Sequence, residues 1–344
     1  MILTHCAGCS ARPRRQIMFS TYFKFPVSAV CGLSLTLVLA ACGGGSSDTV
    51  NSNPDTPATG TTASVLCSYS GNGTQSLVYN NAPNSLTTNA VNEILPFNYS
   101  WTCSGTTRTM SGNGVPNHAV TGGNFATKVS AQNIVANVTT NPVASSTSTS
   151  VKLPGYALNS VKMDPGTAGT CTSSATSDAS GCNYAGGNGT WRMEAMGDSS
   201  VSPWKFDFGT DVNNAHVQPN GQYHYHGMPT HLISKLNSAS TTSMTLVGWA
   251  ADGFPIYANY GYSTATNASS ALQEMRGSYR VKTVPDSGRP STSLFAMGHF
   301  QQDWVFDASV GDLDECNGRT GVTPEFPKGI YHYYITKTPS FSVA

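Results

Sequence analysis

The stretch Gly221-Gln222-Tyr223-His224-Tyr225-His226-Gly227 alternates two tyrosines with two histidines between glycines. Alternation with a period of two residues predicts a β-strand, and the glycines predict turns at its ends. On a strand, His224 and His226 leave the same face with Cα atoms about 7 Å apart, whereas the tyrosines leave the other face. Because metal–nitrogen distances are about 2 Å, two neighbouring imidazoles can bind one ion. The stretch therefore predicts a strand with candidate metal ligands on one face.

The pattern returns near the C-terminus as Gly329-Ile330-Tyr331-His332-Tyr333-Tyr334, where Tyr334 takes the place of the second histidine. Duplicated hairpins often face each other across a pseudo-two-fold axis. Such an arrangement would bring His332 towards His224 and His226. Repeats also occur for packing alone, so the sequence leaves both explanations open.

The N-terminal residues have the features of an export signal. Basic residues precede an apolar run that is too short to span a bilayer as a stable helix. The run ends in Leu39-Ala40-Ala41-Cys42, which resembles the lipobox of bacterial lipoproteins. We interpret residues 1–41 as a lipoprotein signal peptide that starts at Met1 or Met18, with a lipid on the sulfur of Cys42. The alternative is an ordinary cleaved signal followed by an incidental cysteine.

Lipidation of Cys42 would tether a soluble domain to the membrane. The next residue is Gly43 and not an acidic retention signal. The resemblance therefore implies an outer-membrane lipoprotein of the bacterial cell envelope, facing the periplasm or the surface. Residues 42–62 are rich in Gly, Ser, Asn, Thr and Pro, which predicts a flexible tether.

The remaining residues, 63–344, are predicted to form one domain. Short apolar or alternating runs are separated by turns that contain Gly, Asn and Pro. This pattern predicts an all-β fold, a sandwich or barrel with few short helices, and argues against βαβ units.

Five local features of this domain are specific enough to test. Residues 156–163 are predicted to form one strand, residues 229–236 one or two helical turns, and residues 269–275 the best helix. Asp252 begins an Asp-Gly turn, and its side chain is expected to bond its own backbone. Pro255 is expected to be excluded from an interior strand because it lacks an N–H group.

The net charge of the chain is zero, with 18 basic and 18 acidic residues. Residues 1–41 contain four of the basic residues and no acidic residue, so the remainder has 14 against 18. No basic stripe is present. Nucleic acid is therefore an unfavourable partner.

Five of the nine cysteines lie in the predicted domain, and export would allow them to form disulfides. Cys67 and Cys103 flank the first strand-rich segment, and Cys171 and Cys182 bracket a short polar loop. These spacings favour the pairs 67–103 and 171–182, with Cys316 left over. Pairing of Cys182 with Cys316 is a rival that the spacing does not exclude.

Several spaced motifs, over about residues 110–340, together resemble the YHYH family of bacterial exported proteins. The family has no settled biochemical activity, so the resemblance implies an exported domain and no particular reaction. Tyr334 departs from the family pattern, in which many relatives have a second histidine. The matching segments are residues 113–118, 214–226, 248–257, 313–319 and 331–333.

The first functional hypothesis is a metal site. His216 lies in a loop that can fold back towards His224 and His226, and His332 comes from the second copy. Three imidazoles and an open position suit copper or zinc, with nearby tyrosines orienting the rings. Hydrogen-bonded histidines in a polar core are the simpler alternative. The predicted ligands are His216, His224, His226 and His332, with His118 and Cys316 as second choices.

The second hypothesis is a hydrolase or lyase that needs no metal. His224 or His332 would act as the general base, with Asp252 or Asp314 as its partner. The sequence contains no Gly-x-Ser-x-Gly elbow and no His-Glu-x-x-His helix, which removes support for two common hydrolase classes.

The third hypothesis is a module that binds a sugar or a peptide. Fifteen tyrosines and five tryptophans on a polar exported domain would suit such a groove. Tyr257, Tyr260 and Tyr262 are its candidate residues, and core packing is their alternative role.

Overall fold

The structure is a computed structural model that describes residues 66–84, 87–145, 154–177, 180–184, 186–196, 209–237, 240 and 242–337. The predicted signal peptide, Cys42 and the tether lie outside the described residues. Within the described residues, no helix is both long enough and apolar enough to cross a membrane.

The described residues form mainly β-strands, which confirms the all-β prediction. Helical structure is short. Helix α1 (Thr230–Leu236) confirms the helical turns expected over residues 229–236, and a 3-10 turn covers Gln301–Asp303. The helix predicted over residues 269–275 is wrong, because Leu272–Glu274 pairs as a strand with Tyr260–Tyr262.

The first large sheet is built on a long antiparallel hairpin. Its strands are β1 (Ser68–Asn84), β2 (Thr87–Ser104), β3 (Thr107–Gly112), β4 (Val120–Phe125) and β5 (Ile134–Thr139). They lie in the order β4-β1-β2-β3-β5. The Cys67–Cys103 disulfide joins the start of β1 to the end of β2, as predicted.

The second large sheet, which we call the central sheet, has eight strands. They are β6 (Gly155–Ala157), β7 (Lys162–Met163), β11 (Ala215–Val217), β12 (Tyr223–Tyr225), β13 (Leu246–Ala250), β14 (Pro255–Tyr257), β19 (Gly318–Gly321) and β20 (Ile330–Tyr334). Their order is β11-β12-β7-β6-β13-β14-β20-β19. The strand predicted over residues 156–163 is therefore two strands joined by a turn. Pro255, expected to be excluded from an interior strand, is the first residue of the interior strand β14, a position that proline tolerates.

The central sheet has a pseudo-two-fold axis between β6 and β13. These strands are antiparallel, and Tyr156 pairs with Trp249 at the axis. Gly155 and Gly248 take equivalent positions on the two sides. A Cβ atom at Gly155 would lie 2.4 Å from the Trp249 carbonyl oxygen, and one at Gly248 would lie 2.3 Å from that of Tyr156. The two strands can therefore pair this closely only because both positions are glycine.

Each half of the central sheet is the same pair of hairpins. The first half consists of β6, β7, β11 and β12, and the second half consists of β13, β14, β19 and β20. In the first half β12 runs parallel to β7, and in the second β20 runs parallel to β14. The predicted duplication therefore extends beyond the Tyr-His-Tyr hairpins to the hairpins beside them.

Smaller sheets complete the described structure. Strands β8 (Thr170–Cys171), β9 (Cys182–Asn183) and β10 (Trp191–Arg192) form a three-stranded sheet, in which Cys171 and Cys182 are disulfide-bonded as favoured. The rival pairing of Cys182 with Cys316 is wrong. The two-stranded sheets are β15 (Tyr260–Tyr262) with β16 (Leu272–Glu274), and β17 (Tyr279–Val281) with β18 (Trp304–Phe306).

Candidate metal centre

Three of the four predicted ligands come together on one face of the central sheet. His216 on β11 is directly opposite His224 on β12, and His226 follows two residues later. Their ring centroids are 4.6, 4.6 and 4.7 Å apart, close to an equilateral triangle. We call these three residues the histidine cluster. His224 and His226 are 2% exposed, whereas His216 is half-buried and lies on the open side.

The Nε2 atoms of the histidine cluster converge. His226 Nε2 lies 3.0 Å from His224 Nε2 and 2.9 Å from His216 Nε2. His224 Nδ1 lies 3.2 Å from the Gln222 carbonyl oxygen, which can only accept a hydrogen bond. In the neutral ring Nδ1 therefore has the proton, and Nε2 of His224 presents a lone pair.

This arrangement cannot be satisfied by hydrogen bonds among the three rings. The nitrogen in the middle, His226 Nε2, has at most one hydrogen and two nitrogen neighbours. At most one of these two Nε2–Nε2 contacts can therefore be a hydrogen bond. A cation at the centre removes this conflict, since all three lone pairs can then point at it.

The electrostatics at His224 and His226 oppose protonation of these two rings. Burial lowers the pKa of His224 well below its ordinary value, and the neighbouring His226 and His216 lower it further. Burial likewise lowers the pKa of His226, with a further contribution from His216. Neutral imidazoles are the form that metals bind.

The spacing of the histidine cluster is close to what a tetrahedral ion requires. Zinc–nitrogen bonds of about 2.0–2.1 Å place tetrahedral ligand atoms about 3.3 Å apart. The two closest nitrogen pairs lie within about 0.4 Å of that value. One ligand atom from each histidine lies within 4.8 Å of the others. Small ring rotations would therefore suffice, and a fourth position would remain open.

A polar group that sequence reasoning missed lies beside the histidine cluster. Lys162 on β7 pairs in register with His224, so both side chains leave the same face. Lys162 Nζ donates to Asp164 at 2.6 Å, and Gln218 Nε2 donates to the same carboxylate at 3.1 Å. We call these three residues the Lys162 group.

The opposite face of β12 is a buried polar network. Tyr223 donates a 2.6 Å hydrogen bond to Asp211, a carboxyl group whose pKa is raised by burial. Tyr225 accepts from Asn159 at 3.0 Å, and its hydroxyl lies 2.6 Å from His118 Nε2. These bonds fix β12 from behind and hold the histidines on the other face.

His332 does not join the histidine cluster. Strands β7, β6, β13 and β14 separate β12 from β20, so the two Tyr-His-Tyr hairpins lie at opposite ends of the central sheet. His332 Nδ1 bonds the Ile330 carbonyl at 2.9 Å, and Nε2 lies 2.9 Å from the hydroxyl of Tyr334. The expected approach of His332 to the pair is therefore wrong.

The position equivalent to the histidine cluster in the second half has a different composition. Arg319 pairs with His332 as His216 pairs with His224, and Tyr334 is the counterpart of His226. The Arg319 guanidinium donates to the Tyr334 hydroxyl at 3.2 Å. The second half thus has the positively charged side chain of Arg319 at the position that His216 has in the first half.

The residues that hold the hairpins are the same in both halves. Asp211 accepts backbone N–H bonds from Asn213 and Ala215 and the hydroxyl of Tyr223. Asp314 accepts the equivalent bonds from Cys316, Gly318 and Tyr331. Asn214 and Asn317, at φ of 54° and 59°, form the same turn before each hairpin.

The second-choice ligands also lie outside the histidine cluster. His118 is on the tyrosine face, where burial lowers its pKa to about 4. Cys316 is buried in the main core next to the Asp314 turn and is disulfide-bonded, so the expectation that it is left over is wrong. Neither residue is within the group of possible metal ligands that the described residues form.

The His/Asp pairs of the metal-independent hypothesis do not form. Asp252 bonds its own turn at Phe254 N, as expected, and accepts from Tyr333. Asp314 accepts from Tyr331 in the same way. The aromatic groove also loses support, because Tyr257 is fully buried and donates to Glu325 at 2.6 Å.

One comparison with known proteins found a match. The family model described as YHYH protein matches residues 135–344, which is more than half of the chain and includes the whole central sheet. No curated protein and no solved structure matches. With both Tyr-His-Tyr hairpins inside the matched region, the chain belongs to the YHYH protein family.

Proposed function

We propose that this protein binds one transition-metal ion, copper or zinc, through Nε2 of His216, His224 and His226. The main support for this proposal is the convergence of the three Nε2 atoms, with that of His226 at 3.0 Å from His224 and 2.9 Å from His216. Imidazole nitrogens suit both ions, and three such ligands leave a position for a further molecule.

Two further features fit a metal site at these three histidines. The carbonyl of Gln222 orients the ring of His224, as backbone carbonyls commonly do for metal-bound histidines. The half-buried His216 gives an ion a path from solvent to two rings that are otherwise buried.

Metal titration of the purified chain tests this proposal. Calorimetry with Zn²⁺ and Cu²⁺, together with elemental analysis, should give one equivalent of ion per chain. His226→Tyr introduces the residue that the second half has at this position, so folding should persist while tight uptake is lost. His332→Gln is the matched control and should retain one equivalent. Absence of uptake by the wild type, or full uptake by His226→Tyr, would refute the proposal.

The proposed location is the bacterial outer membrane, through a lipid on Cys42. The support is the lipobox-like Leu39-Ala40-Ala41-Cys42 after an apolar run. A Cys42→Ser variant should move from the membrane fraction to the soluble fraction of expressing cells. Membrane association that survives this substitution would contradict the lipid anchor.

A further inference from the structure

We infer that the fourth position at the histidine cluster takes a small oxyanion, held jointly by the metal ion and the ammonium group of Lys162. This inference rests on the proposed metal site and specifies its ligand class. Carboxylate and phosphate groups share the required chemistry, namely an anionic oxygen for the ion and a second oxygen for an N–H donor.

Strand register places Lys162 at the histidine cluster. His216, His224 and Lys162 occupy three adjacent strands in direct register, so their side chains form one row on the same face. An oxyanion on the bound ion would therefore lie within the field of this ammonium group.

Hydrogen bonding leaves Lys162 able to bind a ligand. The ammonium group has three N–H donors, and among the described residues Asp164 accepts one of them. Gln218 donates to the same carboxylate and helps to fix the pair. The side chains of Lys162 and Asp164 are 16% and 19% exposed, so a small molecule from solvent can reach them.

The charge balance favours an anion. Asp164 compensates Lys162, and imidazoles bind metals in the neutral form, so a divalent ion would leave two positive charges in a partly buried site. An oxyanion reduces that charge and satisfies free N–H donors at the same time.

The second half of the central sheet is an internal control. The residues that only hold the fold, such as the Asp211 turn, recur there as the Asp314 turn. Strand register makes Pro255, Tyr257 and Gly321 the counterparts of Lys162, Asp164 and Gln218. The Lys162 group is thus present only in the half that has three histidines. This distribution indicates that the group serves the proposed ion and not the folding of the sheet.

Cobalt loading provides a direct test. Co²⁺ uptake is measured first, and the visible spectrum of the loaded chain is then titrated with inorganic phosphate and, separately, with acetate. At least one of the two anions should change the spectrum until the change saturates, and the titration curve gives its dissociation constant. Tighter binding of phosphate would indicate a natural ligand with a phosphate group, and tighter binding of acetate would indicate one with a carboxylate group.

Variants of the Lys162 group separate the roles. Lys162→Met should weaken anion binding about 10- to 100-fold, the loss expected for one charge-assisted hydrogen bond, with cobalt uptake unchanged. Lys162→Arg should retain most of the affinity, and Asp164→Asn should tighten anion binding several-fold by removing a negative charge.

The outcomes distinguish this inference from the proposed function. No cobalt uptake by the wild type would overturn both. Uptake with no spectral response to either anion, or equal anion affinity in wild type and Lys162→Met, would overturn the oxyanion inference alone.

Discussion

The two halves of the central sheet have equivalent strands, equivalent Asp211 and Asp314 turns and equivalent buried tyrosines. One half nevertheless has three imidazoles where the other has Arg319, His332 and Tyr334. His224 and His332 even share an orienting bond from Nδ1 to the backbone carbonyl two residues earlier. The comparison shows which residues maintain the hairpin and which are available for chemistry.

A positive charge is a common requirement of both halves under this interpretation. In the second half the Arg319 guanidinium donates to Tyr334 and to the carbonyl of Tyr262. In the first half a bound ion would provide the charge. The second half therefore needs nothing from solution, whereas the first half depends on what it binds.

The largest expected effect is the creation of a second metal site. In Arg319→His/Tyr334→His the second half acquires the ligand set of the first, because both positions have the register of His216 and His226. We expect calorimetry to show two equivalents of zinc per chain, with the new site weaker. The reverse change, His216→Arg/His226→Tyr, should reduce uptake to none while the fold persists. One equivalent in the first variant would show that the two halves are not interchangeable.

The next effect concerns the axis that relates the halves. Ala at Gly155 or Gly248 would place Cβ against a backbone carbonyl that cannot move without shifting a strand. Each substitution should lower the free energy of unfolding by about 3 kcal/mol or more, and by similar amounts. Urea denaturation measures both, and Gly166→Ala is the control, since its nearest side-chain atom lies at 3.8 Å. Clearly different losses of stability in the two variants would mean that the two glycine positions are not energetically equivalent.

The smallest effect is a pH dependence from the second half. Burial lowers the pKa of His332 to about 4, whereas an unfolded histidine titrates near 6.5. Below about pH 6.5 the unfolded chain binds a proton that the folded chain does not bind, so stability falls as the pH falls towards 4. His332→Gln removes this term.

The measurement is the free energy of unfolding of metal-free protein at pH 7 and pH 5. The loss between these values should be smaller by about 2 kcal/mol in His332→Gln than in the wild type. Equal losses would show that His332 titrates normally in the folded state.

Period-two alternation was sufficient to predict the strand of the first hairpin and the shared face of His224 and His226. The upstream His216 could be included because Pro219, Asn220 and Gly221 predict a return of the chain. These signals are local, and the structure retains them. The export signal and the lipid anchor stay predictions, since they lie outside the described residues.

The Lys162 group could not be predicted in this way, because Lys162 and Gln218 are brought together by a parallel pairing between distant strands. The one available signal was a weak repeat, Gly155-Tyr156-Ala157 against Gly248-Trp249-Ala250. Aligning these triplets would have indicated that the duplication is larger than one hairpin. The helix predicted near Ser269 is wrong because cross-strand pairing overrode local propensity.

The pairing of β6 with β13 at Tyr156 and Trp249 has a consequence for folding during synthesis. During synthesis β6 emerges about ninety residues before β13, the strand that covers it. Over that interval β6 would be an open edge with unpaired N–H and C=O groups, a template for association with other chains. A protein split between the two halves would keep this edge exposed, because each half completes the hydrogen bonds of the other's innermost strand.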